Sequence, residues 1–286
     1  MQQIFFGNIL NCLPTTANQH GRGSDLFTIF EEFSKEIVKN SKLKDTEKGE
    51  IEFGEFGKIY FPYYKMGAID TLDLFGLDEL IIFSFYLKSK LKYKKVADIG
   101  ANLGLHSILM SKCGWDVISY EPDPIHAALL LKNAKLNNVL DKIILNEMAV
   151  SDEAGELEFI RVVGNTTGSH LAGAKQNPYG ELDKFKVKVE SIKEIMEKVD
   201  FIKMDVEGQE KIILCSTSKE SWANVEMMVE IGTEQNAIEI FNHLTNNNIN
   251  IFSQKTGWNK VENISGMPTS HREGSVFITN KPKMIW

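Results

Sequence analysis

Two carboxylates follow a short apolar segment in the second half of the chain. Asp205 and Glu207 belong to the run FIKMDVEG (residues 201–208), in which a strand-like segment precedes a helix-like one. In open α/β sheets, ligands bind in the crevice at the carboxyl ends of the strands. We therefore expect both side chains to face the reacting groups as catalytic residues, with Asp205 also contacting a bound cofactor.

A turn containing two glycines occurs earlier, in VADIGANLGLH (residues 96–106). Gly100 lets the backbone turn tightly after a strand, and Gly104 lets the following helix pack close to the sheet. A dinucleotide-binding turn has a further glycine where the pyrophosphate approaches, but this chain has Asn102 there. The turn therefore predicts a nucleoside cofactor without a pyrophosphate, which fits S-adenosyl-L-methionine. Asp98, at the end of the strand, is expected to accept hydrogen bonds from an ammonium group or from helix N–H groups.

An acidic residue follows the next strand-like segment. Glu121 begins the run EPD about 20 residues after the glycine turn, where a carboxylate can accept hydrogen bonds from both ribose hydroxyls. The run NEMAVSD (residues 146–152) follows a third strand and offers polar and backbone groups to an adenine edge. The remaining cofactor contacts expected in these runs are Gly100, Ala101, Asn102, Gly104, His106, Pro122 and Ala149.

S-adenosyl-L-methionine would give up its methyl group by in-line displacement, and an acceptor that carries a proton, such as a hydroxyl, would need a base to take that proton. His170 is a candidate catalytic residue because it ends the polar run NTTGSH, which suits contacts with substrate hydroxyls. His106 lies in the first turn of the helix after the glycine turn, where it could line the methyl site. A metal site formed by Asp205, Glu207 and Glu230 is an alternative, but their spacing is not diagnostic, and no metal is expected.

From Lys95 onward, strand-like and helix-like segments alternate, which is typical of βαβ units and a mostly parallel sheet. The predicted strands cover residues 95–99, 116–120, 142–147, 201–205, 226–231, 249–253 and 274–279. The predicted helices cover residues 103–113, 124–137, 208–215 and 234–247. The prediction is an α/β fold with a seven-stranded sheet and helices on both faces.

The main domain is expected to carry an insertion. Residues 157–163 and 185–189 alternate as strands and flank a loop rich in Gly, Asn and Pro. Such a pattern predicts an inserted hairpin with a long loop near residues 155–190.

The first 92 residues carry no catalytic motif and are expected to form an N-terminal α+β cap. Residues 1–23 are predicted to be an irregular arm, followed by a helix over 24–40 and a hairpin over 51–62. A second helix over 79–91 would place Glu79 near the methionine end of the cofactor.

Four runs, in this order and at these separations, resemble the FkbM family of S-adenosyl-L-methionine-dependent methyltransferases: DIGANLG, EPDP, AVSDEAG and KMDVEGQE. The resemblance implies that residues 93–286 form the seven-stranded, Rossmann-like sheet of class I methyltransferases. It also implies methyl transfer from S-adenosyl-L-methionine, usually to a hydroxyl oxygen of a sugar or natural product. The acceptor is not identified, so we expect a small molecule or a carbohydrate.

The composition of the chain argues against some classes of binding partner. The net charge of −7 argues against a nucleic-acid partner, because nucleic acids attract positive fields. No apolar run is long enough to span a membrane, and the apolar residues 1–13 lack the basic start of a secretory signal. Three cysteines without paired spacing fit the cytoplasm. Aromatic residues in the N-terminal arm allow a homo-oligomer.

Three alternatives stay open at this stage. One is an NAD-dependent oxidoreductase on a similar fold, which the missing middle glycine disfavours. Another is a non-catalytic module that binds the cofactor and serves assembly, which Asp205 and Glu207 disfavour. The third is methyl transfer to an RNA acceptor, which the acidic charge balance and the lack of a run of aromatic and basic residues disfavour. Separately, Arg161 or Arg272 could hold an anion.

Overall fold

The computed structural model describes residues 2–67, 69–165, 168–173, 180–206 and 208–286, with side chains from residue 5 onward. Its α-helices are α1 (Gln2–Cys12), α2 (Asp25–Lys39), α3 (Leu77–Ser89), α4 (Leu105–Lys112), α5 (Pro124–Leu136), α6 (Ile192–Met196), α7 (Glu210–Cys215) and α8 (Glu234–Asn246). Its strands are β1 (Glu50–Glu52), β2 (Lys58–Tyr60), β3 (Lys95–Ile99), β4 (Asp116–Tyr120), β5 (Ile143–Asn146), β6 (Met148–Ser151), β7 (Gly155–Val162), β8 (His170–Leu171), β9 (Leu182–Ser191), β10 (Phe201–Met204), β11 (Glu226–Glu230), β12 (Asn250–Ser253), β13 (Asn259–Lys260) and β14 (Ser275–Thr279).

The main sheet has the strand order β13-β12-β14-β11-β10-β3-β4-β5. The five strands from β11 to β5 are mutually parallel, and β14 is antiparallel to both of its neighbours. The seven predicted strands and four predicted helices of this region are all confirmed within a few residues. The described sheet has eight strands rather than seven, because the two-residue strand β13 extends one edge.

Strand order reverses in the middle of this sheet. β3 and β10 are neighbours, but the chain continues from β3 to β4 on one side and from β10 to β11 on the other. Such a reversal opens a crevice at the carboxyl ends of the two strands. Gly100 follows β3 and Asp205 follows β10, so both residues lie at this crevice.

A second, four-stranded sheet has the order β6-β9-β7-β8 and is called the small sheet below. β7 and β9 pair antiparallel over eight residues each, from Gly155 opposite Val189 to Val162 opposite Leu182. Sequence alternation predicts these two strands, but it does not predict β8 or the parallel pairing of β6 with β9. Parts of the predicted loop, residues 166–167 and 174–179, lie outside the described residues.

The N-terminal region packs on one face of the main sheet. An irregular arm is expected over residues 1–23, but the structure forms α1 and a 3-10 helix over Leu13–Gln19. Phe6, Ile9 and Leu10 of this segment are buried in one hydrophobic cluster with α3, α4 and β10. Tertiary packing, rather than helix caps, therefore accounts for these turns. Two statements about this region stay predictions: that residues 1–92 and 93–286 are separate domains, and that the N-terminal arm forms a homo-oligomer.

None of the helices in the described part of the chain is both long and apolar enough to cross a membrane.

His20 joins the N-terminal region to the C-terminal part of the chain. It is 1% exposed, its Nε2 lies 3.0 Å from the carbonyl oxygen of Leu13, and Trp258 Nε1 donates to its Nδ1 at 2.8 Å. Burial lowers the pKa of His20 to about 4, although the bond to Leu13 raises it slightly. The folded protein therefore holds this imidazole neutral at pH values where the unfolded chain binds a proton.

Acidification is expected to destabilise the protein through His20. The contribution is complete above the unfolded pKa of about 6.5 and is lost as the pH falls towards 4. Between pH 7 and pH 5 the free energy of unfolding should fall by about 2 kcal/mol more in the wild type than in His20→Gln, as measured by urea unfolding. The exposed His271, replaced by Gln, serves as control and should leave the wild-type pH dependence unchanged. Parallel pH curves for the wild type and His20→Gln would contradict the assignment.

Candidate active site

The glycine turn after β3 uses left-handed backbone conformations at three positions. The φ angles are 77° at Gly100, 48° at Asn102 and 88° at Gly104. The backbone N–H groups of Gly100 and Ala101 both donate to the carbonyl oxygen of Tyr120, at 3.0 Å each. These two bonds place the turn next to the residue that follows β4.

That residue is Glu121, whose side chain is 7% exposed. Its Oε2 accepts a hydrogen bond from the backbone N–H of Asn102 at 2.8 Å, and its Oε1 accepts one from the N–H of Asp123 at 2.9 Å. His126 Nδ1 lies 3.6 Å from the same Oε1. A carboxylate has about four acceptor positions, so both oxygens retain capacity for ligand hydroxyls.

An open pocket of about 690 Å³, including solvent at its mouth, lies at the crevice. This volume is in the range of sites that bind small molecules and cofactors. The structure brings seven of the predicted site residues together in its lining: Gly100, Asn102, Glu121, Pro122, Ala149, His170 and Asp205. Glu207, a predicted catalytic residue, lies outside the described residues.

Five predicted site residues do not line this pocket: Glu79, Asp98, Ala101, Gly104 and His106. Asp98 is fully buried, and its Oδ2 accepts a hydrogen bond from Ser107 Oγ at 2.5 Å. Gly104 supports the turn by close packing, because a side chain there would have its Cβ 2.6 Å from Leu130 Cγ.

Glu79 and His106 form a separate contact between the N-terminal region and the main sheet. His106 Nε2 lies 3.1 Å from Glu79 Oε2, and Tyr86 Oη lies 2.8 Å from His106 Nδ1. Burial raises the pKa of Glu79, but His106 and Lys203 more than compensate, and the pKa lies below the ordinary value. Both ring nitrogens of His106 thus have partners within the chain, so this imidazole is held in place by its neighbours.

Lys203 connects this contact to the pocket. It lies on β10 with a side chain that is 10% exposed, and its Nζ is 3.8 Å from Asp205 Oδ2. Burial lowers the pKa of Lys203, but four surrounding carboxylates raise it above the ordinary value: Asp205, Asp98, Glu79 and Glu230. The ammonium group therefore balances part of a strongly acidic region under the glycine turn.

Replacement of Lys203 by methionine is expected to lower the free energy of unfolding by about 2 kcal/mol, because the buried carboxylates lose their cation. The cost is smaller than for a fully buried ion pair, since Asp205 and Glu79 keep 38% and 28% of their side-chain exposure. Urea unfolding at pH 7 measures the change. Lys211→Met is the control, because Lys211 is 33% exposed with one ion pair to Glu239, and its loss should cost below about 1 kcal/mol. Equal effects of the two substitutions would contradict a role for Lys203 in balancing these charges.

Sequence reasoning missed several residues of the pocket lining. His126 lines the pocket from the first turn of α5, and no motif in the sequence singles it out. Gln209, directly before α7, also lines the pocket. Phe159 and Leu171 belong to the small sheet and Ser169 directly precedes β8, and no local signal indicated that this sheet closes one side of the pocket.

Within the described ranges, no three His, Cys, Asp or Glu side chains are grouped as metal ligands would be. The three cysteines, Cys12, Cys113 and Cys215, are free thiols.

The strand order, the glycine turn and the acidic residues after β4 and β10 define a class I, Rossmann-like methyltransferase fold. Residues 98–253 match the family model described as a methyltransferase FkbM domain, which covers more than half of the 286 residues. The chain therefore belongs to the FkbM methyltransferase family.

One similar protein is methyltransferase sdnD from Sordaria araneosa, which is 25% identical over 169 residues. The match covers 47% of this chain and 64% of that protein, so the chain spans less than two thirds of this relative. A solved structure of methyltransferase FkbM from Methylobacillus flagellatus is 15% identical with a TM-score of 0.40, covering 72% of this chain and 52% of that one. A SAM-dependent methyltransferase from Agrobacterium tumefaciens is 8% identical with a TM-score of 0.42, covering 82% and 71%.

Proposed function

We propose that this protein transfers a methyl group from S-adenosyl-L-methionine to a hydroxyl oxygen of a small-molecule or carbohydrate acceptor. The main support is the position of Glu121, which lines the pocket beside the glycine turn and is anchored by two backbone N–H groups. A carboxylate placed in this way binds the two hydroxyls of a ribose. The pocket has Asn102 where a pyrophosphate would need bare backbone.

A further observation favours a polar ligand at the turn. The side-chain oxygen of Asn102 is buried, and it has no hydrogen-bond partner among the described residues. Buried polar atoms are rarely left without a partner, so a ligand donor at this point would complete the site. An ammonium or hydroxyl group of S-adenosyl-L-methionine supplies such a donor. Ala149 and Met148 provide an apolar wall of the pocket, which suits an adenine ring.

When bound, S-adenosyl-L-methionine supplies a methyl group activated by a positive sulfonium. Asp205, on the β10 side of the pocket, provides a carboxylate that favours this positive charge and accepts the hydroxyl proton of the acceptor. Lys203 forms an ion pair with that carboxylate at 3.8 Å. Glu207 and His170 stay candidates for contacts with the acceptor. His170 lies on β8 of the small sheet, where Ile160 of β7 is its partner.

Five residues outside the pocket lining have proposed roles around the turn. Asp98, Ala101 and Gly104 shape the glycine turn on which the methionine part is bound. Glu79 and His106, which contact each other between α3 and the first turn of α4, are proposed to close the methionine end.

We also propose a cytoplasmic location, which the three free thiols fit.

Titration calorimetry with the full chain tests whether the protein binds S-adenosyl-L-methionine, the proposed methyl donor. S-adenosyl-L-methionine and S-adenosylhomocysteine are expected to bind, and NAD⁺ is not. Failure of both adenosyl ligands, or tighter binding of NAD⁺, would contradict the proposal.

A second experiment tests which chemical group accepts the methyl. The protein and labelled S-adenosyl-L-methionine are incubated with a panel of hydroxyl, amine and carboxylate compounds. The labelled product should come from a hydroxyl compound and should survive mild alkali, because a methyl ether is stable where a methyl ester is hydrolysed. Label found only in amines or esters would contradict O-methylation of a hydroxyl.

A further inference from the structure

Arg161 makes an unusually complete set of contacts for an arginine at the edge of a site. Its side chain is 17% exposed and lies on β7 of the small sheet. Nε and Nη2 donate to the two carboxylate oxygens of Asp123 at 2.6 and 2.8 Å, which is a bidentate pair. Nη1 donates to Asp183 at 2.9 Å, and the guanidinium lies 4.7 Å from the ring centre of Phe185. The anion held by Arg161 is therefore a carboxylate of the chain itself.

Asp123 is fully buried and lies two residues after Glu121. Its Oδ1 also accepts a hydrogen bond from the N–H of Ile125 at 2.8 Å, so it caps the start of α5. Its own backbone N–H donates to Glu121 Oε1. Through Asp123, Arg161 therefore contacts the same short loop that orients the Glu121 carboxylate.

The small sheet also forms part of the pocket lining. Phe159 of β7 and Leu171 of β8 pack with Ala149 in one hydrophobic cluster, and all three line the pocket. Ala149 lies on β6 of the small sheet, which follows β5 of the main sheet after one residue, and Glu121 follows the neighbouring main-sheet strand β4. The Arg161–Asp123 pair thus joins the small sheet to the main sheet beside the proposed adenosyl site.

We propose that Arg161 is a positioning residue: by holding Asp123, it fixes the loop that orients Glu121 at the adenosyl side of the pocket. This inference rests on the proposed function. Its chemical basis is geometric, because a planar guanidinium fixes both distance and angle to a carboxylate, whereas an ammonium fixes only distance. A binding residue needs such support to stay in its productive orientation.

Calorimetry with S-adenosylhomocysteine tests the inference. Arg161→Met is expected to bind it at least about tenfold more weakly than the wild type. Arg161→Lys keeps the charge but loses the bidentate geometry, and it should bind at least about threefold more weakly. Asp183→Asn is the matched control. It removes only the outer contact of Arg161, to a carboxylate side chain that is 53% exposed, and should bind within twofold of the wild type.

A second arm separates positioning from a general structural role. Because Arg161 acts through Glu121, Arg161→Met should change the affinity less than about threefold in a Glu121→Gln background. A purely structural role would cost the same factor in both backgrounds, and that result would overturn the inference. A folded Arg161→Met that binds within twofold of the wild type would also overturn it.

Circular dichroism decides which variant carries the test. If Arg161→Met does not fold, Arg161→Lys takes its place in both arms, and binding within twofold of the wild type overturns the inference. Absence of binding by the wild type would overturn the proposed function, and this inference with it. Wild-type binding with unaffected Arg161 variants would overturn the inference alone.

Discussion

Replacement of Glu121 by alanine is expected to weaken the binding of S-adenosylhomocysteine by at least about 100-fold. Each hydrogen bond between a carboxylate and a ligand hydroxyl contributes about 1.5–3 kcal/mol, and two such bonds are lost. The substitution also leaves the backbone N–H groups of Asn102 and Asp123 without their acceptor. The glycine turn and the loop after β4 then lose the contact that joins them, so the loss should exceed the ligand bonds alone.

Calorimetry on the full chain measures this change, with two comparison variants. Glu121→Gln keeps one acceptor oxygen but turns an NH₂ group towards one of the two N–H donors, so its affinity should lie between those of the wild type and Glu121→Ala. Glu147→Ala is the matched control, because Glu147 is an exposed carboxylate after the neighbouring strand β5. It should bind like the wild type. A folded Glu121→Ala protein that binds within threefold of the wild type would show that Glu121 does not hold the ligand.

The parts of the site that lie in one short run were predictable from the sequence. Gly100, Asn102 and Glu121 lie within a few residues of a strand end, and the parallel sheet brings the ends of neighbouring strands to one edge. The position of Asp98 could also have been predicted, from the alternation of side chains along β3. Successive side chains of a strand point to opposite faces, so Ile99 and Asp98 cannot both face the pocket. Ile99 lines it, whereas Asp98 is bonded to Ser107 beneath the turn.

Contacts between distant parts of the chain were not predictable. Arg161 and Asp123 are 38 residues apart, and neither residue has a local pattern that indicates the other. The same holds for α1, whose sequence has neither an acidic first turn nor a basic last turn. Its turns are stabilised by the burial of Phe6 in a core that other elements complete. Such features depend on tertiary packing, which a single sequence without aligned relatives does not encode in a local signal.

Gly100→Ala is expected to have the largest effect on stability, with a loss above about 4 kcal/mol or failure to fold. The backbone at Gly100 has φ 77°, a region that costs other residues about 1 kcal/mol or more. The added Cβ would overlap the carbonyl oxygen of Asp205 and lie 2.9 Å from its carbonyl carbon. Both atoms belong to backbone at adjacent strand ends, where Ile99 is paired with Met204, so neither can move without separating β3 from β10.

Urea unfolding followed by circular dichroism measures this loss, with Gly232→Ala as the control. Gly232 has ordinary backbone geometry, and a Cβ added there would meet no atom within 4 Å. Its substitution should change the free energy of unfolding by less than about 1 kcal/mol. The same overlap at Gly100 would displace Asp205, so any folded Gly100→Ala protein should also lose most of its affinity for S-adenosylhomocysteine. A variant as stable as Gly232→Ala would show that the close contact between the turn and β10 is not required.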